Sequence, residues 1–112
     1  MKSLNPGAAA RAAVAASSTL PATAILHDSP DVRLVVFRLA PGQKVSPHRS
    51  TSSVMLSVIE GSGVISGEPA PAEAACAAGD VFAFEPGELH GMRADTEELL
   101  LLATITPRPG SR

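Results

Sequence analysis

Turn-forming residues divide most of this chain into short apolar segments, and that spacing constrains the fold more than any other feature of the sequence. Glycine or proline turns recur at intervals of about 8–12 residues, and no long segment has the periodicity of an amphipathic helix. Such a pattern predicts an all-β sandwich or barrel of roughly seven to nine short strands. The expected strands cover residues 32–39, 54–59, 64–66, 73–77, 81–84, 90–93 and 98–106, with one or two edge strands between 14 and 26.

Composition and charge exclude several classes of protein. The chain has 112 residues, which is the size of one domain with a single core. Its nine basic residues are scattered and its net charge is −2, so no basic surface for a nucleic-acid partner is expected. No run approaches the ~18 apolar residues of a membrane span. We therefore expect a soluble protein that binds neither nucleic acid nor a membrane.

The ends of the chain and its one cysteine give further expectations. The alanine-rich start is interrupted by Pro6 and Arg11 and lacks the apolar middle region of a signal peptide, which favours a cytoplasmic protein. We expect a flexible N-terminal segment over 1–13, with a marginal helix at most. The barrel domain is expected over 14–106 and a tail over 107–112. A single cysteine, Cys76, cannot form an intramolecular disulfide, and a small strand residue is the favoured interpretation over a reactive thiol.

Two segments combine a turn, an apolar strand and a histidine. The first begins at Gly42, passes His48 and ends at Gly61. The second begins at Gly79 and ends in the sequence Pro86-Gly87-Glu88-Leu89-His90. Whether the two histidines meet in space decides most of what can be said about function.

These segments resemble the paired motifs of the cupin superfamily. The first family motif is Gly, five residues, His-x-His, three or four residues, Glu, six residues and Gly; the second contains Pro-x-Gly-x-x-His. The resemblance covers about residues 32–106 and implies a double-stranded β-helix, that is, a conical jelly-roll barrel, commonly paired as a homodimer. The motif positions that this chain keeps are Gly42, His48 and Gly61 in the first motif and Gly79, Gly87 and His90 in the second.

The ligand positions are kept only in part. Cupins usually hold Fe, Mn, Ni or Zn with two histidines and a glutamate from the first motif and one histidine from the second. Here Ser50 stands at the second histidine position and Val54 at the glutamate position, which leaves His48 and His90 as the candidate metal ligands. Two neutral imidazoles suit all these metals but leave most of the coordination shell to water. Glu88 is a candidate additional ligand, because strand alternation would place it on the face of His90.

Three functions follow as hypotheses. The first is a small-molecule-binding cupin with a degenerate metal site, whose apolar pocket has His48 and His90 as its polar groups. The alternative is a metal-dependent enzyme, dioxygenase- or isomerase-like, with water in the open positions; the third is a dimeric barrel with a vestigial site. Nucleophilic catalysis is disfavoured, since the hydroxyl cluster at 50–53 lacks a carboxylate–histidine arrangement. The residues expected to line the pocket are Ser50, Val54, Leu56, Phe84 and Met92.

The sequence leaves other points open. It does not identify the ligand, does not decide whether a metal is bound, and gives no position for His27. Arg49 could reach an anionic ligand at the mouth of the barrel, although a solvated arginine is the favoured interpretation.

Overall fold

A computed structural model describes residues 1–69 and 72–110. The described chain begins with helix α1 and continues as seven strands. No helix in these ranges is long and apolar enough to cross a membrane. The elements are α1 (Pro6–Ala12), β1 (Ala22–Asp28), β2 (Arg33–Leu39), β3 (Lys44–His48), β4 (Ser53–Ser66), β5 (Glu73–Ala77), β6 (Val81–Phe84) and β7 (His90–Thr106).

The two long strands β4 and β7 hold the barrel together. They pair antiparallel over almost their whole length, from Ser53 opposite Thr106 to Ser66 opposite Gly91. One half of this ribbon belongs to the strand order β1-β2-β7-β4-β6, and the other half to β3-β7-β4-β5. Two antiparallel layers that share two bent strands form a jelly-roll barrel, as the sequence predicted.

The separation of strands 54–59 and 64–66 by a turn, as predicted from the sequence, is wrong, because both form the single strand β4. Gly61 and Gly63 mark shifts of register and not a reversal of the chain. Both lie so close to β7 that a Cβ would overlap main-chain atoms, at the carbonyl of Glu98 and of Arg93 respectively. The glycines therefore serve a close strand contact and a bulge, which a local sequence signal cannot distinguish from a turn.

Two further strand predictions also differ from the structure. The predicted strands 90–93 and 98–106 form the single strand β7, and β3 lies between 39 and 54, where no strand was predicted. In both places the pairing partner is distant in sequence, since β3 pairs with the start of β7. A strand whose pairing partner is distant in sequence cannot be recognised from the local residue pattern alone.

The interior of the barrel is filled by aliphatic side chains at one end. Leu39, Leu99 and Leu101 are completely buried there, and Val58 and Ala94 are nearly so. Strand register places these residues together, since Leu39 is opposite Leu99 and Val58 is opposite Leu101. We call this group the closed end of the barrel.

The outer face of β2 is covered by α1. Ala10 of the helix is completely buried and packs with Val36 and Leu100 in a second apolar cluster. Arg38 donates hydrogen bonds from Nε to the carbonyl oxygen of Ala10, at 3.2 Å, and from Nη2 to that of Ala13, at 2.6 Å. We expected residues 1–13 to be flexible; instead part of that segment is packed, because both faces of β2 are apolar and the outer one needs cover.

The expected C-terminal tail is also attached to the barrel as far as it is described. The hydroxyl of Ser52 donates to the carbonyl oxygen of Pro107 at 2.6 Å, and the main-chain N–H of Arg108 donates to that of Pro30 at 3.2 Å. Pro109 lines the cavity described below. The last two residues of the predicted tail, 111–112, lie outside the described residues.

Candidate ligand site

Pairing of β3 with β7 brings the two motif histidines side by side. His48 is opposite His90 in the ladder, and their ring centroids are 4.3 Å apart with a tilt of 58° between the ring planes. The neighbouring Gly91 permits this approach, because a Cβ there would lie 2.9 Å from the nitrogen of Pro47 and 3.0 Å from the carbonyl oxygen of Val45. The main chain therefore allows the close pairing of β3 and β7 that brings the two rings together.

Main-chain carbonyls fix the tautomer of each ring. The Nδ1 atom of His48 is 3.0 Å from the carbonyl oxygen of Ser46, and that of His90 is 3.1 Å from the carbonyl oxygen of Glu88. A carbonyl oxygen only accepts, so each Nδ1 carries the hydrogen. In the neutral rings, both Nε2 atoms are then left with a lone pair.

The two histidines have different surroundings. His90 is 5% exposed and its ring lies 5.2 Å from that of Phe84, whereas His48 is exposed. Burial lowers the pKa of His90, and the neighbouring His48 adds to the effect, while the hydrogen bond to the Glu88 carbonyl opposes it. Burial therefore favours the neutral form of the His90 ring.

A cavity of about 420 Å³ opens beside this pair. Its volume lies in the usual range for small-molecule sites. Four of the five expected lining residues, Ser50, Val54, Leu56 and Met92, line it; Phe84 instead lies behind His90 and lines a second cavity of about 180 Å³. The other lining residues are Phe37, Val45, His48, Arg49, Thr51, His90, Ala103, Ile105 and Pro109.

The Glu88 side chain is not brought to the histidine pair as a third ligand. Its carboxylate accepts a hydrogen bond from the main-chain N–H of Glu85 at 2.8 Å and closes the turn before β7. Within residues 1–69 and 72–110, no three His, Cys, Asp or Glu side chains come together as a metal-binding group. Two imidazoles without a carboxylate do not fit a transition metal held by the protein alone, because the charge and most of the ligands would have to come from elsewhere.

An ion pair between Arg49 and Glu68 lies beside the two histidines, and no sequence pattern predicted it. Arg49 donates to both carboxylate oxygens of Glu68, at 3.0 and 3.2 Å, and to the carbonyl oxygen of Gly87 at 2.7 Å. The main-chain N–H of Leu89 donates to the same carboxylate at 3.0 Å. These contacts lower the pKa of Glu68, Arg49 having the largest effect. Glu68 thus connects the residue that follows His48 with the residue that precedes His90.

The third histidine and the cysteine lie away from the cavity. The Nδ1 atom of His27, on β1, is 3.3 Å from Nζ of Lys2. Cys76 is buried in the barrel interior, and burial raises the pKa of its thiol. A raised pKa keeps the sulfur protonated, which agrees with a packing role and not with a reactive one.

Comparison with known families identifies the class of the protein. The family model for the cupin domain matches residues 35–106, which includes both histidines and most of the barrel. The chain belongs to the cupin family. A comparison of the sequence with curated proteins gives no match.

Solved structures share the fold over nearly the whole chain. An RmlC-like cupin from Desulfovibrio desulfuricans is 28% identical, with a TM-score of 0.80, and the match covers 96% of this chain and 97% of that one. A protein from Thermus thermophilus is 25% identical, with a TM-score of 0.78 and coverage of 88% and 94%. A protein with a double-stranded β-helix domain from Klebsiella pneumoniae is 21% identical, with a TM-score of 0.81 and coverage of 92% and 90%. These likenesses establish the double-stranded β-helix architecture.

Proposed function

We propose that this cupin binds a small, mostly apolar molecule in the cavity beside His48 and His90. The observation that carries the proposal is the combination of an apolar cavity of about 420 Å³ with two adjacent imidazoles, each held by a main-chain carbonyl. Binding sites for small molecules are mostly apolar and have a few fixed polar groups that orient the ligand. The histidine pair supplies those groups, and the walls supply apolar contact.

A thermal-shift screen of small aromatic and aliphatic metabolites tests the proposal. A bound compound is expected to raise the melting temperature of the wild-type protein, since it binds only the folded state. His48→Ala is expected to abolish this rise. His27→Ala is the matched control, because it removes a histidine that lies away from the cavity. An equal rise in all three proteins, or none in the wild type, contradicts the proposal.

A second candidate is a metal-dependent enzyme of the dioxygenase- or isomerase-like kind. It is favoured by one observation, the Nδ1 contacts that leave Nε2 of both rings available. Metal-binding histidines commonly donate their other ring N–H to a main-chain carbonyl. Water or a bound molecule would have to supply the remaining ligands, whichever of Fe, Mn, Ni or Zn is bound.

Metal analysis separates the two candidates. Protein purified without added metal is analysed beside the His48→Ala/His90→Ala double variant, before and after incubation with each metal. Near-stoichiometric metal in the wild type that is lost in the double variant supports the enzyme. Equal, near-zero contents after incubation contradict it and leave the binding function unaffected.

A homodimer and a cytoplasmic location stay proposals as well. The exposed apolar side chains of Met55 and Val81, on the outer faces of β4 and β6, support self-association. Light scattering after size-exclusion chromatography measures the mass directly. A monomeric mass at all concentrations tested contradicts the dimer.

A further inference from the structure

The polar end of the cavity presents hydrogen-bond acceptors. Because Nδ1 of each histidine donates to a carbonyl oxygen, the two Nε2 lone pairs are the ring atoms left for a ligand. A neutral imidazole with its hydrogen on Nδ1 has Nε2 as a hydrogen-bond acceptor, so each ring presents an acceptor to the cavity. The rings are 4.3 Å apart, and one hydroxyl can reach either of them.

The cavity offers little to a carboxylate. Of the described lining residues, Arg49 alone carries a permanent positive charge, and its guanidinium is bound to Glu68 and to the carbonyl oxygen of Gly87. A carboxylate beside two neutral Nε2 lone pairs meets acceptors, and burying an ion without a partner is costly. The hydroxyls of Ser50 and Thr51 can donate or accept and so do not discriminate between ligands.

We propose that the ligand is a neutral hydroxyl compound, a phenol or an alcohol with an apolar body, whose O–H donates to Nε2 of His90 or His48. The inference rests on the proposed binding function and names the chemical class that the site selects. The hydroxyl lies at the histidine end, and the body of the ligand contacts the walls formed by Val54, Leu56 and Met92. Carboxylates of the same shape are rejected, because the site leaves their charge without a partner.

Three probes of nearly equal shape test this class: 2-naphthol, 2-methoxynaphthalene and 2-naphthoate. Affinities are measured by NMR titration of chelator-treated protein at about pH 7.5, where a phenol remains protonated. We expect 2-naphthol to bind about tenfold more tightly than its methyl ether, which keeps the rings and the oxygen but lacks the hydrogen. We expect 2-naphthoate to bind more weakly than 2-naphthol. Histidine side-chain ¹⁵N spectra are expected to show Nδ1 protonated in both rings and an Nε2 resonance that moves with 2-naphthol.

His90→Phe and His48→Phe keep an apolar ring and remove one acceptor each. The preference for 2-naphthol over its ether is expected to fall in each variant and to disappear in the double variant. The exposed position of His48 makes that variant informative even if the buried His90 substitution does not fold.

The possible negative results distinguish failure of the hydroxyl class from failure of the proposed binding function. Equal affinities for 2-naphthol and the ether in the wild type, or tighter binding of 2-naphthoate, overturn the hydroxyl class while the cavity still binds ligands. Binding of none of the three overturns both the class and the proposed function. A preference for 2-naphthol that persists in the double variant assigns the recognition to other groups and overturns the role given to the histidines.

Discussion

The two ends of the barrel interior are built from the same strands but are filled differently. At the closed end, β2 and β7 contribute Leu39, Leu99 and Leu101, which leave no exposed surface. Further along β7, the smaller Ala103 faces the cavity that opens beside the histidines. Close packing stabilises the fold at one end, and smaller side chains leave a cavity at the other. Stability and binding should therefore respond to different substitutions.

The largest expected effect is on folding, from Gly61→Ala at the closed end. Gly61 has a φ of +83°, and its added Cβ would overlap the carbonyl of Glu98. The strain and the displaced strand are expected to lower the free energy of unfolding by more than about 3 kcal/mol, measured by urea denaturation.

Gly42→Ala is the matched control for that substitution. Gly42 also has a φ of +83°, but nothing lies within 4 Å of its added Cβ. It should cost about 1 kcal/mol, from the backbone conformation alone. Equal losses in the two variants would show that the contact between β4 and β7 does not matter at this position.

Truncation of leucines at the two ends is expected to give the next effect. Leu99→Ala removes a completely buried side chain and should cost about 2–5 kcal/mol. Leu56→Ala should cost less, because one side of Leu56 already faces the cavity and makes fewer contacts there. Denaturation measures both costs. Leu56→Ala should also change the Kd for 2-naphthol, whereas Leu99→Ala should not; the reverse result would contradict the division between the two ends.

The pH dependence of stability should reveal the buried histidine. Because burial lowers the pKa of His90 in the folded protein, the unfolded chain takes up a proton more readily. Its contribution to stability is fully present above about pH 6.5 and is lost as the pH falls below that value, by no more than about 1.4 kcal/mol per pH unit. Unfolding of chelator-treated wild type and His90→Gln at several pH values measures the difference. The same pH dependence in both proteins would contradict the prediction.

The smallest expected effect comes from weakening the ion pair between Arg49 and Glu68, which lies beside the histidines. Glu68→Gln weakens the contacts with Arg49 and Leu89, so the histidines should be held less precisely and the Kd for 2-naphthol should rise about threefold. Stability should change little, because the pair is partly exposed and screened by water. Glu73→Gln breaks the comparable pair with Arg93 away from the histidines and should leave the Kd unchanged. An equal change in both variants would indicate a general electrostatic effect.

The sequence predicts the barrel well because its strands follow local rules. Alternation with period two places Val54 and Leu56 on the inner face, and both line the cavity. The path of β4 through Gly61 is not predictable in this way, since its glycines serve a partner strand far along the chain. The Arg49–Glu68 pair joins residues 19 positions apart on two loops, and neither loop has a pattern that indicates the other. The sequence therefore predicts apolar residues that line the cavity, but not the contacts that orient its polar groups.

The position of α1 has a consequence for where this domain can be cut. A fragment that starts at residue 14 would lose Ala10 and uncover Val36 and Leu100 on the outer face of the sheet. Arg38 would lose both of its main-chain partners, the carbonyl oxygens of Ala10 and Ala13, and remain beside that newly exposed apolar surface. Uncovered apolar patches of this kind promote self-association. We therefore expect a fragment without the short helix to self-associate, so the smallest useful fragment of this cupin should extend beyond the strands that define the barrel.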